Sequence, residues 1–188
     1  RYAEDVSRIP AAALSTVDAS ALSKAYAQAH EKDQTITVRM RMDCADLGKV
    51  TQGNVIGEWR GSTHPNEIIT LGGHLDSWDI GEGAHDDGSG VVHTLEALRA
   101  LRAIGYTPHR TLRFVLFINE ENGNRGGKKY AEMAASEHEA GLRHVAAMES
   151  DAGGFVPRGV RMDGPDLQVA MVRSWAPTLE PYNLHYFG

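Results

Sequence analysis

The sequence predicts an α/β sandwich whose central sheet is mostly parallel. Segments typical of strands alternate with segments typical of helices along most of the chain. Residues 112–118 are nearly all apolar and β-prone, as expected for a strand that is buried on both faces. Residues 89–104 carry valine and leucine at helical spacing, which predicts an amphipathic helix. The alternation and the buried strand together favour parallel pairing at the centre of the sheet.

The remaining elements follow from capping residues, alternation and turn residues. Residues 15–18 (STVD) resemble a helix N-cap with an acidic first turn, and residues 19–29 are good helix formers. Residues 35–42 alternate apolar and polar side chains, which predicts a half-buried strand. Further strands are predicted at 54–60, 67–71 and 144–148, and further helices at 125–136 and from Gly164-Pro165 to the prolines at 177 and 181.

Length and composition limit the classes of protein to which the chain can belong. Its 188 residues, 41% hydrophobic and 23% charged, are enough for one globular domain with a core. A net charge of -6 argues against a nucleic-acid backbone or an anionic membrane as partner. Cys44 is the single cysteine, so an intrachain disulfide is excluded. No apolar run approaches the roughly 20 residues that a membrane span needs.

Residues of the types that bind metal ions follow three of the predicted strands. In open α/β sheets, ligands bind beyond the carboxyl ends of the strands, so side chains at these positions should meet. The positions concerned are His74 after strand 67–71, Asn119, Glu120 and Glu121 after strand 112–118, Glu149 and Asp151 after strand 144–148, and Asp86-Asp87 just before helix 89–104. This coincidence of position is a stronger signal than any one motif.

The chemistry of a metal site accounts for these residue types. Imidazole nitrogens and carboxylate oxygens suit Zn²⁺ and similar divalent ions. Two such ions about 3.5–4 Å apart need a bridging carboxylate that offsets their mutual repulsion. Because the adjacent side chains of Glu120 and Glu121 diverge at a strand end, one can bind metal while the other takes a proton from water. Asp76 is placed to accept the second imidazole N–H of His74 and to fix its tautomer.

Each motif alone also has a plain structural explanation. A His-x-Asp pair is common, a Glu-Glu pair is usually solvated, and Asp-Asp-Gly-Ser-Gly makes a good turn before a helix cap. A pair of carboxylates directly after a fully apolar strand, however, is costly without partners, which favours a site. His85 is interpreted as packing or hydrogen bonding locally, and His93 as an ordinary helix residue. Trp78 and Trp175 are interpreted as residues of the core or of a pocket wall.

Three segments read together resemble a known family. They are GGHLDSWDIGEGAHDDGSG (72–90), NEENG (119–123) and MESDAG (148–153). They resemble the two-zinc exopeptidase family of aminopeptidases and related carboxypeptidases, in particular its plasma glutamate carboxypeptidase branch, and the similarity runs from about Ile9 to the C-terminus. The resemblance implies a three-layer α/β/α sandwich with a mixed, mostly parallel sheet. It makes residues 33–188 a catalytic domain that is incomplete at its C-terminus, and residues 1–32 the trailing part of an inserted protease-associated segment.

The resemblance also implies two zinc ions and the residues that hold them. Its ligand sets are His74, Asp86 and Asp151 for one ion, and Asp86, Glu121 and a later histidine for the other. The context of His185 does not match that histidine, so we expect the last ligand and at least one further strand beyond Gly188. The second zinc site is therefore expected to be incomplete in this chain. Glu120 becomes the general base, Asp76 the partner of His74, and the peptide bond Asp86–Asp87 is expected to be cis.

The implied activity is hydrolysis of a peptide bond next to a free terminus of a dipeptide or short peptide. The resemblance further implies a secreted or periplasmic location and a small peptide substrate, and it leaves a homo-oligomer open. An incomplete second site would leave this chain inactive by itself. Two alternatives stay open: a metal-free, non-catalytic relative, and an aminoacyl cyclase or deacylase on the same scaffold. The side-chain preference, the attacked terminus and the native metal are not determined by the sequence.

Overall fold

The structure is a computed structural model that describes residue 7, residues 9–45 and residues 47–188. The chain divides into two compact units between Thr51 and Gln52. The first unit contains helix α1 (Thr16–His30), whose N-cap Ser15 accepts a hydrogen bond from the Asp18 amide at 3.0 Å. The predicted helix and its cap are therefore confirmed.

The predicted strand at residues 35–42 is wrong. These residues lie outside every strand of the structure, and none of the described strands pairs with them. Alternation shows which side chains can share a face, but a strand forms only where a neighbouring backbone completes its hydrogen bonds. The pattern alone carried no information about such a neighbour.

The second unit alternates strands and helices as predicted. Its elements are β1 (Val55–Trp59), β2 (His64–His74), α2 (Gly88–Ala103), β3 (Arg110–Phe117), α3 (Arg125–Glu139), β4 (Arg143–Glu149), β5 (Gly159–Val160), α4 (Asp166–Arg173), α5 (Ala176–Leu179), a 3-10 turn (Glu180–Tyr182) and β6 (Tyr186–Phe187). The prediction that Pro177 and Pro181 close the last long helix is wrong, because α4 has already ended at Arg173. Each proline instead lies in the first turn of a new short helix, where its missing N–H costs nothing.

The main sheet is mixed and mostly parallel, in the order β1-β3-β2-β4. Strand β2 runs parallel to both β3 and β4, and β1 is antiparallel to β3. From β2 the chain passes to β3, which lies on one side of β2 in the sheet. It then crosses back to β4, which lies on the other side of β2. Since parallel crossovers are right-handed, this reversal puts α2 and α3 on opposite faces of the sheet. The predicted three-layer α/β/α arrangement is confirmed.

Side-chain contacts agree with this placement of the helices. Gly73 of β2 lies against the start of α2, where a side chain would meet the backbone of Gly90. The hydroxyl of Thr70, three residues earlier and hence on the other face, is 2.8 Å from the hydroxyl of Tyr130 in α3. The close approach at Gly73 brings the end of β2 next to the beginning of α2.

The core is centred on β3 and β2. Its buried apolar side chains are Ile68, Leu112, Phe114 and Val115, so the prediction of a central buried strand is confirmed. Strand β4 is equally apolar but lies at the edge of the sheet, and Val145 and Met148 are exposed. In the part of the chain that the structure describes, no helix is long and apolar enough to cross a membrane.

Candidate metal centre

The candidate site lies at the carboxyl ends of β2, β3 and β4. The chain leaves β2 toward one edge of the sheet and leaves β3 toward the other, so this is the topological switch point at which open α/β sheets bind ligands. His74 is the last residue of β2, Glu120 and Glu121 follow β3, and Asp151 follows β4. The structure brings His74, Asp86, Glu121 and Asp151 together, as the sequence predicts.

His74 is the centre of the cluster and is 1% exposed. Its Nδ1 lies 2.8 Å from the main-chain oxygen of Asp76. Because a carbonyl only accepts, Nδ1 carries the proton and Nε2 presents its lone pair. That lone pair faces Oδ1 of Asp86 at 3.2 Å and Oδ1 of Asp151 at 3.4 Å. A lone pair between two carboxylates needs a proton or a metal ion between them.

The protonation of His74 reflects these neighbours. Burial by itself lowers the pKa of His74, but the Asp76 carbonyl and the carboxylates of Asp151, Asp87 and Asp76 outweigh it and raise the pKa above 6.5. The ring therefore holds a positive charge more readily than a free histidine does. The same surroundings attract a divalent cation.

Glu121 completes the second half of the cluster. A ring nitrogen of His74 and one carboxylate oxygen each of Asp86 and Glu121 all lie within 4.8 Å of one another. The same holds for ligand atoms of His74, Asp87 and Asp151. Burial, followed by the nearby charge of Asp86, raises the pKa of Glu121. Among the described residues, His74 Nε2 and Glu121 Oε1 are both buried without a hydrogen-bond partner. Such unpartnered buried atoms are costly, and a bound metal ion removes that cost.

Asp76 makes a different contact from the predicted one. Its carboxylate was expected to accept the second imidazole N–H of His74, but the nearer oxygen is 3.7 Å from Nδ1 and the main-chain carbonyl accepts that proton instead. The carboxylate accepts hydrogen bonds from the amides of Glu120 at 2.9 Å and Glu121 at 3.2 Å. Unsatisfied N–H groups just after a strand compete for a nearby carboxylate, which explains the difference. Asp76 therefore fixes the ring and the glutamate pair together.

Asp87 has a structural role that the metal-site reasoning did not assign. It is 1% exposed and caps α2, accepting hydrogen bonds from the Gly90 amide and the His74 amide, each at 2.9 Å. Burial raises the pKa of Asp87 in spite of these bonds. Both of its oxygens are occupied by amides, whereas Asp86 is 58% exposed, so Asp86 is the better placed ligand. The peptide between them is cis, as the resemblance implied. The plain structural explanation of Asp-Asp-Gly-Ser-Gly, a turn before a helix cap, therefore holds for Asp87.

The tryptophans and histidines that the sequence analysis interpreted differ in how well they were predicted. Trp78 and Trp175 are exposed rather than buried in the core. His85 packs against Phe155, with ring centroids 5.0 Å apart, in agreement with its interpretation as a local packing residue. His93 forms a hydrogen bond with the Ser150 hydroxyl at 2.8 Å, a contact that nothing in its sequence surroundings indicates.

The side chains present fit a divalent metal. Imidazole nitrogen and carboxylate oxygen are the donors that zinc accepts, and two of these donor atoms are otherwise unpartnered. A three-layer α/β sandwich with such a cluster at its switch point is typical of the class of α/β proteins that bind divalent metals beyond the carboxyl ends of their strands. Comparison with protein families makes this specific. The family described as peptidase family M28 matches residues 54–186, and the chain belongs to that family.

Individual relatives support the assignment. Carboxypeptidase Q of Mus musculus is 34% identical over 185 residues, which cover 98% of this chain and 38% of that protein. The Homo sapiens protein of the same name is 33% identical over 97% of this chain and 37% of its own length. A probable leucine aminopeptidase 2 of Aspergillus fumigatus is 31% identical over 71% of this chain and 25% of its own length.

A solved structure agrees with the fold. The crystal structure of a peptidase M28 precursor from Shewanella amazonensis SB2B matches with a TM-score of 0.79 and 35% sequence identity. The match covers 98% of this chain and 40% of the other. This chain therefore spans about two fifths of the length of the two carboxypeptidase Q proteins and of the solved structure, and a quarter of the length of the aminopeptidase.

Proposed function

We propose that this chain supplies the metal centre of a zinc-dependent exopeptidase that hydrolyses peptide bonds next to a free terminus of dipeptides or short peptides. The observation that carries the proposal is the pair of buried, unpartnered ligand atoms, His74 Nε2 and Glu121 Oε1, beside Asp86 and Asp151. Membership of a peptidase family, and relatives named carboxypeptidase and aminopeptidase, support the reaction class.

The residues present divide between two zinc ions. His74, Asp86 and Asp151 would hold one of them, and Asp86 and Glu121 would contribute to the other, for which the resemblance implies a further histidine. Zinc bound there would polarise the scissile carbonyl and lower the pKa of a water molecule toward about 7. Of the two adjacent aspartates, Asp86 would be the shared ligand, because both oxygens of Asp87 accept hydrogen bonds from amides.

Glu120 acts as the general base. Its amide is held by the Asp76 carboxylate at 2.9 Å, so the side chain begins from a fixed point of the backbone. Glu120 takes a proton from the attacking water and delivers it to the leaving amine. Glu121 is held through its own amide by the same carboxylate, and its side chain would bind metal. Asp76 thus fixes the stretch of backbone from which both glutamate side chains extend.

The decisive experiment is Glu120→Gln in the full-length protein. Glutamine keeps the size of the side chain but cannot take a proton at neutral pH. The kcat on a dipeptide panel should fall by about 10²–10⁴-fold while zinc content is unchanged. Glu132→Gln, at an exposed position of α3, is the matched control and should keep full activity.

Other outcomes separate the alternatives. Undiminished turnover in Glu120→Gln would contradict the assignment of the base. Absence of both zinc and hydrolysis in the unchanged protein would identify a non-catalytic relative. Peptides with a blocked amino or carboxyl terminus determine which end is attacked, and cyclisable or acylated substrates in the same panel test the cyclase and deacylase alternatives.

The setting and domain organisation are proposed on the family resemblance. Residues 33–188 would be part of the catalytic domain, residues 1–32 the trailing part of an inserted protease-associated segment, and the protein secreted or periplasmic. Fractionation of the source cells, with the protein detected by antibody, tests the location. Recovery from the cytosolic fraction would contradict it.

A further inference from the structure

Asp151 is the proposed zinc ligand whose position is least explained by its own contacts. Its side chain is 41% exposed, and it lies in the irregular segment that follows β4. Within the described residues, the one ion-pair contact of its carboxylate is the 3.4 Å approach to His74 Nε2, and a carboxylate oxygen of Asp87 lies within 4.8 Å. The position of Asp151 must therefore be set by the residues on either side of it.

The residue before Asp151 is held by α2 and β2. The hydroxyl of Ser150 bonds to Nδ1 of His93, in α2, at 2.8 Å. The Ser150 amide donates to the Gly72 carbonyl at 3.0 Å. The Ser150 carbonyl lies so close to Gly90 that any side chain at position 90 would overlap it. Ser150 is thus fixed by contacts in three directions.

The residues after Asp151 surround the imidazole of His85. Phe155 packs against the His85 ring in an edge-to-face arrangement, with an interplanar angle of 70°. The Gly154 amide donates to His85 Nδ1 at 3.4 Å. Gly153 has a φ of +86°, and a side chain there would overlap the imidazole. Because His85 directly precedes Asp86, these contacts join the two segments that carry Asp86 and Asp151.

We propose that His85 and His93 are positioning residues that hold the Asp151 segment from its two ends and thereby set the metal centre before metal binds. The inference rests on the proposed function only in taking Asp151 as a ligand. A segment ordered in advance loses less conformational entropy when the metal binds, so affinity rises without any new ligand. Residues behind the ligands of a metal site commonly change its affinity by about 10–100-fold.

The test compares variants that remove each contact with variants that keep part of it. His85→Ala and His93→Ala remove the contacts. His85→Phe keeps the ring against Phe155, and His93→Asn keeps a hydrogen-bonding atom near the position of Nδ1. His138→Ala, at an exposed position of α3, is the control. Three quantities are measured on the full-length protein: zinc affinity by chelator competition, hydrogen exchange of residues 150–156 without metal, and the metal-free urea midpoint.

Each alanine variant should bind zinc about 10–100-fold more weakly and exchange faster at residues 150–156, with an unchanged urea midpoint. The conservative variants should recover most of the affinity, and the control should match the unchanged protein. Zinc affinity that stays the same in both alanine variants would overturn the proposal. So would a loss of affinity accompanied by a proportionate fall in the urea midpoint, since that indicates a general folding role.

The proposed function fails separately from this inference. If the unchanged protein neither binds zinc nor hydrolyses peptides, the function is wrong. The hydrogen-exchange comparison on the metal-free protein still shows whether the histidines order the segment. If zinc binding and hydrolysis are found but the alanine variants behave like the unchanged protein, only the positioning role is wrong.

Discussion

Two charged clusters on the same sheet have opposite electrostatic character. The metal cluster is His74, Asp86, Glu121 and Asp151, at the carboxyl ends of the strands. The arginine cluster is Arg113 of β3 with Glu58, Glu137, Tyr130 and His144, on the face covered by α3. In the metal cluster two buried atoms lack partners, whereas in the arginine cluster the charged groups are paired.

The arginine cluster is electrostatically complete. Arg113, which is 4% exposed, donates to both oxygens of Glu137 at 2.7 and 2.9 Å and to Glu58 at 2.7 Å. The hydrogen bond from Arg113 lowers the pKa of Glu137, and His144 adds to it at 2.9 Å. Burial alone would lower the pKa of Arg113, but its bonds to Glu137, Tyr130 and Glu58 raise it. This charge is stabilised in the folded protein without any ligand.

Glu121 of the metal cluster has a pKa shift of the opposite sign. Burial raises the pKa of Glu121, and also that of Asp87 and Glu149 beside the cluster, with neighbouring carboxylates adding to the effect. Arg113 stabilises Glu137 as an anion, whereas the burial and crowding of Glu121 favour a cation beside it. The direction of the pKa shift therefore distinguishes these two glutamates of the same sheet.

Removing the centre of the arginine cluster should have the largest effect. Arg113→Ala leaves Glu58 and Glu137 without their partner, and the free energy of unfolding should fall by about 3 kcal/mol. Urea unfolding of the metal-free protein measures it. Arg113→Met combined with Glu137→Met is the control, because replacing both charges by apolar side chains should cost much less. A loss below about 1 kcal/mol in the single variant would show that the cluster is a surface feature.

The corresponding change in the metal cluster should leave stability intact and remove metal binding. Glu121→Gln takes one negative charge from a crowded group, so metal-free stability should stay the same or rise. Zinc affinity should fall by about 100-fold or more, and a 100-fold loss is equivalent to about 2.7 kcal/mol. Residues that contact the ligands without binding the metal themselves change affinity by less, about 10–100-fold. Asp79→Asn, at an exposed position between β2 and α2, is the control for the loss of a negative charge alone. Chelator competition and urea unfolding together test the contrast.

Acid should weaken the arginine cluster. The pKa of Glu137 is below its ordinary value of 4.5 in the folded protein because Arg113 donates to it. Its contribution to stability is therefore fully present above pH 4.5 and is lost as the pH falls through the lowered folded value. Glu137→Gln should flatten the dependence of unfolding free energy on pH below this point. Glu132→Gln should leave the profile unchanged, and an equal slope in both variants would contradict the role given to Glu137.

A surface pair should show the smallest effect. Arg99 and Glu96 of α2 form an ion pair at 2.5 Å, but both side chains are exposed. The hydrogen bond to Arg99 lowers the pKa of Glu96, yet solvent screens such pairs. Glu96→Gln should change neither the urea midpoint nor the zinc affinity measurably. A clear change in either would mean that exposed charges on α2 matter to the site in a way the contacts do not show.

The sequence predicted the position of the site well, for a physical reason. His74 ends one apolar strand, and Glu121 and Asp151 follow two others. Because the carboxyl ends of parallel strands lie on the same side of a sheet, local sequence patterns were enough to predict that these residues lie close together. The arginine cluster was not predictable, because Arg113 and Glu58 are joined only through strand pairing. The hydrogen bond between His74 and the main-chain carbonyl of Asp76 was not predictable either, because every residue has a main-chain carbonyl whatever its side chain.

The exposed loop between His74 and Asp86 has a consequence for how the family can diversify. Its residues 77–81 are closed by their own hydrogen bonds, from the Ser77 hydroxyl to the Gly81 carbonyl and from the Gly81 amide to the Trp78 carbonyl. The large side chains of Trp78 and Ile80 project from it into solvent. The residues of the metal cluster instead lie at the ends of β2, β3 and β4 and just before α2. Evolution can therefore alter residues 77–81 without moving the metal cluster.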